Sequence, residues 1–396
     1  MKLKSDRQIS KHNRRWLSAP VFIYSAMTKR IHALIMMPPH GSSPAEKWVA
    51  KGIQAAGLDL ITLLKDLDLD LDLFVLAADE QDRAFAKKFG THAIKEPEKP
   101  FQFGKALTDF ILEEDVENLA YFGSGSAPLL SREILQEAFL HLLQAEHPYA
   151  VVNNLHSTDW AIFNHARKIC PKRDRLPSDN PIGWILSNEM DFEVQALPVS
   201  AATRTDIDTP TDLMMMHGHP DLGQNLRRFY AEHPVHGLDK VKTIQDILST
   251  PASHLTLIGR ASSHLWRELE RKTQIWVRMF VEERGMVASG RMGRGEVKSL
   301  IAEIVDQWGP YEFIDFLGTI SHGVLWDTRV WMAHHGGWPS KADRFAADLG
   351  RVDEILDPSL KVLTQAIHQV SLPIITGGHG VVAGGLYALL ESVFPE

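Results

Sequence analysis

Arg204-Thr205-Asp206-Ile207-Asp208-Thr209-Pro210-Thr211-Asp212-Leu213 carries the most information of any stretch in this 396-residue chain. If the run is extended, Asp206 and Asp208 project to one side while Ile207 points to the other, into a core. Two adjacent carboxylates repel unless a proton or a cation joins them, so the pair reads as a holder of Mg²⁺ for a nucleotide. Helix-start chemistry follows at once: Thr209 as N-cap, Pro210 at the first helical position and Asp212 at the third. A capping box accounts for Asp212 by itself, and it leaves Asp206 and Asp208 unexplained.

Upstream of this turn the chain alternates apolar runs with helical patterns. Ile31 to Met37 is an apolar run feeding the loop Pro38-Pro39-His40-Gly41-Ser42-Ser43-Pro44, and Leu73 to Asp79 is a second buried strand. Leu67 to Leu73 alternates at period two, as an exposed strand or as an acidic turn ahead of Phe74. Ala45 to Leu64 has a helical composition with Gly52 and Gly57 as break points, and shorter helices are expected over Ala84–Phe89, Ala106–Leu112 and Ser131–Ala145. Such alternation predicts a three-layer, mainly parallel α/β sheet. Ligands in these sheets lie at the carboxyl ends of strands, where the turn at Gly123 and the turn at Asp206 both fall. Val151 to Asp159 and Ser178 to Trp184 line the same edge, with Asp159 and Asp179 read as caps of local turns and His156 as a loop histidine.

The string Asp206-x-Asp208-Thr209-Pro210-x-Asp212-Leu213, with these strands in order, resembles the end of the nucleotidyltransferase domain in the molybdenum-cofactor guanylyltransferase and phospholactate guanylyltransferase group, a GT-A-like fold. The resemblance covers about residues 30–220. It has two departures. The family's first loop, of the form GGxSxRMGxxK, is proline-rich here, with only Lys47 and Lys51 downstream. The family's GDxPLL turn is replaced by Gly123-Ser124-Gly125-Ser126 ahead of Pro128-Leu129-Leu130, without its aspartate. The resemblance implies Mg²⁺-dependent transfer of a nucleotidyl group from an NTP to a phosphorylated or acidic small molecule. Asp206 and Asp208 would hold the metal, and Lys47 or Lys105 would lie near phosphate. Gly123, Ser124, Gly125 and Ser126, with Asn153 and Asn154, would line the ribose or acceptor side. Two other readings stay open: a nucleotide-sugar glycosyltransferase using Asp206-x-Asp208, and a non-catalytic nucleotide- or metabolite-binding descendant, which the two departures favour.

Composition sets bounds on these readings. The length suggests two domains, taken as 30–220 and 221–396 after an N-terminal extension over 1–29. A formal net charge of -8 lacks the basic face that general nucleic-acid binding needs. The single Cys170 excludes an internal disulfide framework and points to a reducing compartment or a thiol-poor design, and a cytoplasmic protein is expected. No apolar run approaches the roughly 18 residues of a membrane span. Lys11 to Met27 imitates a signal peptide loosely, but Pro20 interrupts it, and an extension ahead of the first strand is the preferred reading. The partners expected are an NTP, a small-molecule acceptor and a second copy of the chain.

Beyond residue 221 helical periodicity dominates, over Val241–Leu248, Ser263–Glu283, Gly295–Trp308, Tyr311–His334 and Ser340–Asp348, so a mostly α-helical domain is expected. Charges are embedded among its apolar residues, including Arg260, Arg284, Asp327, Arg329, Arg344 and Asp348. Inward charges must be paired. Arginine-carboxylate clasps between helices are the first account, and an arginine-lined pocket for phosphate or carboxylate is the second. The tail Leu372 to Leu386 runs from an apolar segment into a glycine loop holding His379. It serves either as an anion site, with His379 contributing a proton or a ligand bond near neutral pH, or as a tight packing corner. His334-His335 and His217-x-His219 show no carboxylate or cysteine partner in sequence, so no structural metal is assigned to them.

Overall fold

The computed structural model describes residues 29–96 and 100–395. The Lys11–Met27 stretch lies outside the described residues. Seven strands form the first sheet: β1 (Ile31–Met37), β2 (Leu71–Ala77), β3 (His92–Lys95), β4 (Leu119–Gly123), β5 (Tyr149–Val152), β6 (Trp160–Phe163) and β7 (Glu193–Ala196). Their order is β3-β2-β1-β4-β6-β5-β7, and every pairing is parallel except those of β6 with β4 and β5. The helices of this half are α1 (Pro44–Lys65), α2 (Glu80–Lys88), α3 (Phe103–Glu113), α4 (Arg132–Gln144), α5 (Ile182–Glu189), α6 (Ala201–Arg204) and α7 (Pro210–Met215).

Side-chain alternation on β1 makes the three layers. Ile31, Ala33, Ile35 and Met37 pack with Leu60, Ile61 and Leu64 of α1 and Phe139 of α4, while Leu34 and Met36 pack with Leu107 and Phe110 of α3 and Ile185 of α5. The expected three-layer, mainly parallel α/β sheet is therefore present. The expected break in the first helix is absent: α1 runs unbroken through Gly52 and Gly57. A Cβ on Gly52 would stand 2.6 Å from Leu213 Cδ1, and one on Gly57 3.0 Å from Met37 Cε, so close packing explains both glycines without a kink. The acidic alternation resolves into a turn followed by β2, which begins at Leu71.

Helices do predominate after residue 221: α8 (Gln224–Glu232), α9 (Leu238–Ser249), α10 (Ser263–Lys272), α11 (Leu300–Trp308), α12 (Pro310–Ile320), α13 (Arg329–His334), α14 (Lys341–Asp348), α15 (Pro358–Gln369) and α16 (Gly384–Val393). They flank a second, all-parallel sheet that the periodicity does not reveal. Its strands are β8 (His254–Gly259), β9 (Trp276–Val281), β10 (Gly323–Asp327) and β11 (Ile374–Gly377), in the order β11-β10-β8-β9. Two of the expected long helices are split by it. Ser263–Glu283 becomes α10 and β9, and Tyr311–His334 becomes α12, β10 and α13. Short apolar runs do not discriminate strand from helix by period alone.

The halves share a core. Val49 and Ile53 of α1 and Ile207 and Leu213 around α7 belong to one apolar cluster with Leu255 and Leu257 of β8, Leu325 of β10, Ile375 of β11 and Leu386 of α16. At roughly 25 cal/mol per Å² of apolar surface, this continuous burial is the main force holding the two sheets together. No helix among the described residues is long and apolar enough to cross a membrane.

Candidate functional site

The Asp206 turn folds as its sequence demands. Ile207 is 2% exposed and sits in the shared core, while Asp206 and Asp208 stay accessible to solvent on the other side. Thr209 and Asp212 form the capping box that starts α7; Asp212 Oδ2 accepts from the Thr209 amide at 2.7 Å, the Thr209 hydroxyl at 2.9 Å and the Asp208 amide at 3.1 Å. The Ile207 amide donates to the Gly125 carbonyl at 3.0 Å, which ties this turn to the one that ends β4.

Two further carboxylates join them from segments far apart in sequence. The Asp159 carbonyl accepts from the Gly123 amide at the end of β4, and its carboxylate accepts from Asn153 Nδ2 at 2.8 Å. Asp179, just before α5, accepts from the Tyr121 hydroxyl at 2.8 Å. Burial pushes Asp159 up to about 8 and Asp179 to about 6, with neighbouring carboxylates adding to both. Asp206 is held well above the ordinary carboxylate range by burial and by the Asp208, Asp159, Asp212 and Asp179 charges. Burial and the Asp208 charge push Asp212 to about 7. Water reaches Asp208, yet the surrounding protein still raises its carboxyl, an effect that open access to solvent reduces. Four positive groups of the second half, Lys341, Arg260, Arg329 and Arg344, pull it the other way.

Those groups stand at or near the carboxyl ends of the second sheet. Arg260 follows β8 and clasps Asp327, the last residue of β10, with Nε–Oδ2 at 2.6 Å. Asp327 is fully buried and lies below the ordinary range because Arg260 offsets its burial. Gly259, at φ +120°, makes this approach possible, since a Cβ there would meet Asp327 Cβ at 2.5 Å. Arg329, 2% exposed, is held two-pronged by Asp348 at 2.9 and 2.5 Å. The clasp account therefore describes Arg260 and Arg329. It does not describe Arg204, Arg284, Lys341 and Arg344, which have no carboxylate within ion-pair distance among the described residues.

The glycine tail is a packing corner built against the Asp206 turn. A Cβ on Gly384 would meet the Arg204 carbonyl at 2.0 Å, and one on Gly380 would meet Asp212 Oδ1 at 1.9 Å. Thr211 Oγ1 donates to the Thr376 carbonyl at 2.6 Å. His379 Nε2 meets the Arg260 carbonyl at 3.1 Å, and burial, helped by the Arg260 charge, lowers it to about 4. It is neutral at pH 7 and acts there as a hydrogen-bonding group between two loops.

The other expected residues are placed as follows. Ser126 Oγ donates back to the Gly123 carbonyl at 2.7 Å, and Ser124, 1% exposed, has a buried hydroxyl without a partner. Asn153 is buried and braces Asp159, and Asn154 lies in the loop beyond β5, where its Oδ1 accepts from the His156 amide. Lys47 is exposed on the first turn of α1, and Lys105 is exposed on α3 beside Asp109 at 3.9 Å. Neither lysine figures among the strongest charges acting on Asp206 or Asp208. In the sequence Asp159 and Asp179 read as local caps, and nothing sets Lys341 apart. No local pattern marks them, because their company comes from other segments.

The donors around Asp206 are all oxygens, which suits a hard divalent cation. Among the described residues, ligand atoms of three side chains come within 4.8 Å of one another at His40–Asp79–Asp82 and at Asp306–His334–His335. The second group gives His334-His335 the carboxylate neighbour that the sequence does not show. Asp206, Asp208, Asp159 and Asp179 form no such group of three among the described residues. The hollow lined by Arg30, His32, Asp115 and Asn118 lies at the opposite, amino-terminal ends of β1 and β4 and contains none of these residues.

No protein-family model matches the chain, and no curated protein matches it. Its fold is similar to that of a Desulfovibrio desulfuricans G20 protein assigned as a nucleotide-diphospho-sugar transferase, at 14% identity and TM-score 0.40, over 52% of this chain and 96% of that one. It is also similar to a cytidylyltransferase from Leptospira borgpetersenii, at 15% identity and TM-score 0.36, over 53% and 96%. A UDP-GlcNAc 2-epimerase from Neisseria meningitidis aligns over 92% of this chain and 90% of its own, at 12% identity and TM-score 0.21. None of the three is a molybdenum-cofactor or phospholactate guanylyltransferase. At these scores the chemistry of the site rests on its own residues.

Proposed function

We propose that the protein binds a magnesium–nucleoside triphosphate between the carboxyl ends of its two sheets and transfers the nucleotidyl group to an anionic small molecule. One observation carries this reading: a cluster of mutually repelling carboxylates at the end of β4 faces cations of the second half that lack carboxylate partners. Such a pair of walls is stable once a cation and a polyanion lie between them. Asp206 and Asp208 would hold Mg²⁺, whose chemistry there is to neutralise phosphate oxygens and polarise the α-phosphorus. Asn153 and Tyr121 fix Asp159 and Asp179 behind them. An acceptor phosphate oxygen forms the new bond to the α-phosphorus. The bond from that phosphorus to the β-bridging oxygen breaks, and its electron pair leaves with pyrophosphate. No proton need move.

A second reading, nucleotide binding without turnover, is favoured by the inward-turned hydroxyls of Ser124 and Ser126 and by the first loop, whose amides serve its own carboxylates. Incubation with each NTP, Mg²⁺ and a pool of phosphorylated metabolites separates the two. Pyrophosphate release supports transfer, whereas saturable binding with no pyrophosphate from any of the four bases supports the binder.

A further inference from the structure

We propose that Lys341 and Arg344, on the first turn of α14, grip the terminal phosphates of the bound nucleoside triphosphate, supplying from the second half the positive charge that the loop after β1 lacks. This rests on the nucleotide reading above.

Three amides of the loop after β1 are already held by carboxylates of the protein. Glu46 Oε2 accepts from the Ser43 amide at 3.0 Å and from the Ser42 amide at 3.3 Å, and the His40 amide donates to Asp79 at 3.1 Å. The amino end of α1, a natural place for a phosphate, is instead closed by the Ser43–Glu46 capping box, which brings a carboxylate there. Pro38 to Ser43 contains no lysine or arginine. A polyphosphate there would meet negative charge unless cations come from elsewhere.

They come from α14. This helix packs on α1 and also on α7, the helix into which Asp208 leads. Lys341 and Arg344 are three residues apart and so share a face. Lys341 bears on both Asp208 and Glu46, and Arg344 on the same two. Neither makes an ion pair within 4.0 Å among the described residues, and Arg344 Nε is buried with no hydrogen-bond partner. Their neighbours are already committed: Arg329 to Asp348, and Asp343 to the Leu356 amide at 2.8 Å. Aromatic rings steady both stems, with Lys341 Nζ 5.2 Å from the Phe345 centroid and the Arg344 guanidinium 5.0 Å from that of Trp338. Asp208 and this pair attract each other without touching. A metal on the carboxylate side and phosphate oxygens on the cationic side fill that interval with matched charge, and the same contacts stabilise pyrophosphate as it departs.

The test is calorimetric titration of the full chain with Mg²⁺ plus NTP, nucleoside monophosphate or inorganic pyrophosphate, comparing wild type with Lys341→Ala/Arg344→Gln. The expected result is NTP and pyrophosphate affinity lowered about tenfold or more, with monophosphate affinity and melting temperature unchanged. Unchanged NTP affinity, or equal weakening of monophosphate and triphosphate, overturns the assignment while leaving the nucleotide reading intact. A wild type that takes up Mg²⁺-pyrophosphate but no nucleotide sinks the nucleotide reading alone, and the pair then stands only if the double variant loses pyrophosphate. A wild type that binds neither sinks both.

Discussion

Replacing Asp159 by Asn should make the metal-free protein more stable at pH 8 and leave it unchanged near pH 4. The carboxyl is pushed up from 3.8 to about 8, chiefly by burial and then by the Asp179 charge. Between those values the native state holds a proton that the unfolded chain has released. The stability associated with that proton is complete below the unfolded value, and it is lost as pH rises through about 8. At about 1.4 kcal/mol per unit, the full shift caps the effect at about 6 kcal/mol. Partial access to water and the shared titration of the cluster reduce this to about 1–2 kcal/mol. Asparagine keeps an oxygen for Asn153 Nδ2, so the 2.8 Å hydrogen bond survives and only the charge is removed. A gain of about 1–2 °C at pH 8 follows, read by calorimetry on chelator-treated protein at half-unit pH steps. Saturating Mg²⁺ should raise the wild-type melting temperature more at pH 8 than at pH 5, because cations compete with protons for the cluster. A variant whose melting curve tracks wild type at every pH, or falls below it at pH 8, would refute the electrostatic picture of the site.

Asp348→Asn strands Arg329 as a buried cation, and chemical denaturation should report a loss of about 3–5 kcal/mol. Gly384→Ala drives a methyl group to within 2.0 Å of the Arg204 carbonyl; a cost of about 1–3 kcal/mol or more is expected as α16 shifts from α6, and a chemical-denaturation stability equal to wild type would contradict the packing. His379→Ala removes a neutral hydrogen-bonded ring, so melting temperature should fall by an amount equivalent to about 1–3 kcal/mol. The Mg²⁺-nucleotide affinity of that variant should keep its wild-type pH dependence from 5 to 8, and a change there would make His379 a ligand-binding group.

Local rules written in adjacent residues proved readable. The Thr209–Asp212 capping box, the inward Ile207 flanked by outward Asp206 and Asp208, and the Ser131 cap of α4 all follow from spacing of three residues or fewer. The three-layer first sheet follows from alternating strand and helix patterns. What escaped was long-range. Asp159 and Asp179 look like turn caps in sequence, and only the antiparallel return of β6 beside β4 and the Tyr121 hydroxyl bring them to Asp206. The second sheet was hidden because Trp276–Val281 and Gly323–Asp327 are short strands continuous with helical patterns on either side. A usable signal did exist in the strand-then-glycine strings Thr256-Leu257-Ile258-Gly259 and Ile374-Ile375-Thr376-Gly377. The arginines could be recognised as inward charges, but which of them lacked a partner could not, since clasp partners such as Asp348 for Arg329 are chosen by packing.

Titration of Mg²⁺-NTP into wild type and Asp208→Asn tests the central claim most directly, with all four bases and a chelated control. The account predicts saturable, Mg²⁺-dependent binding of at least one NTP by wild type, and its loss in the variant at a melting temperature within a few degrees of wild type. Absence of binding by wild type for every base, or unchanged Mg²⁺-dependent affinity in Asp208→Asn, would contradict it.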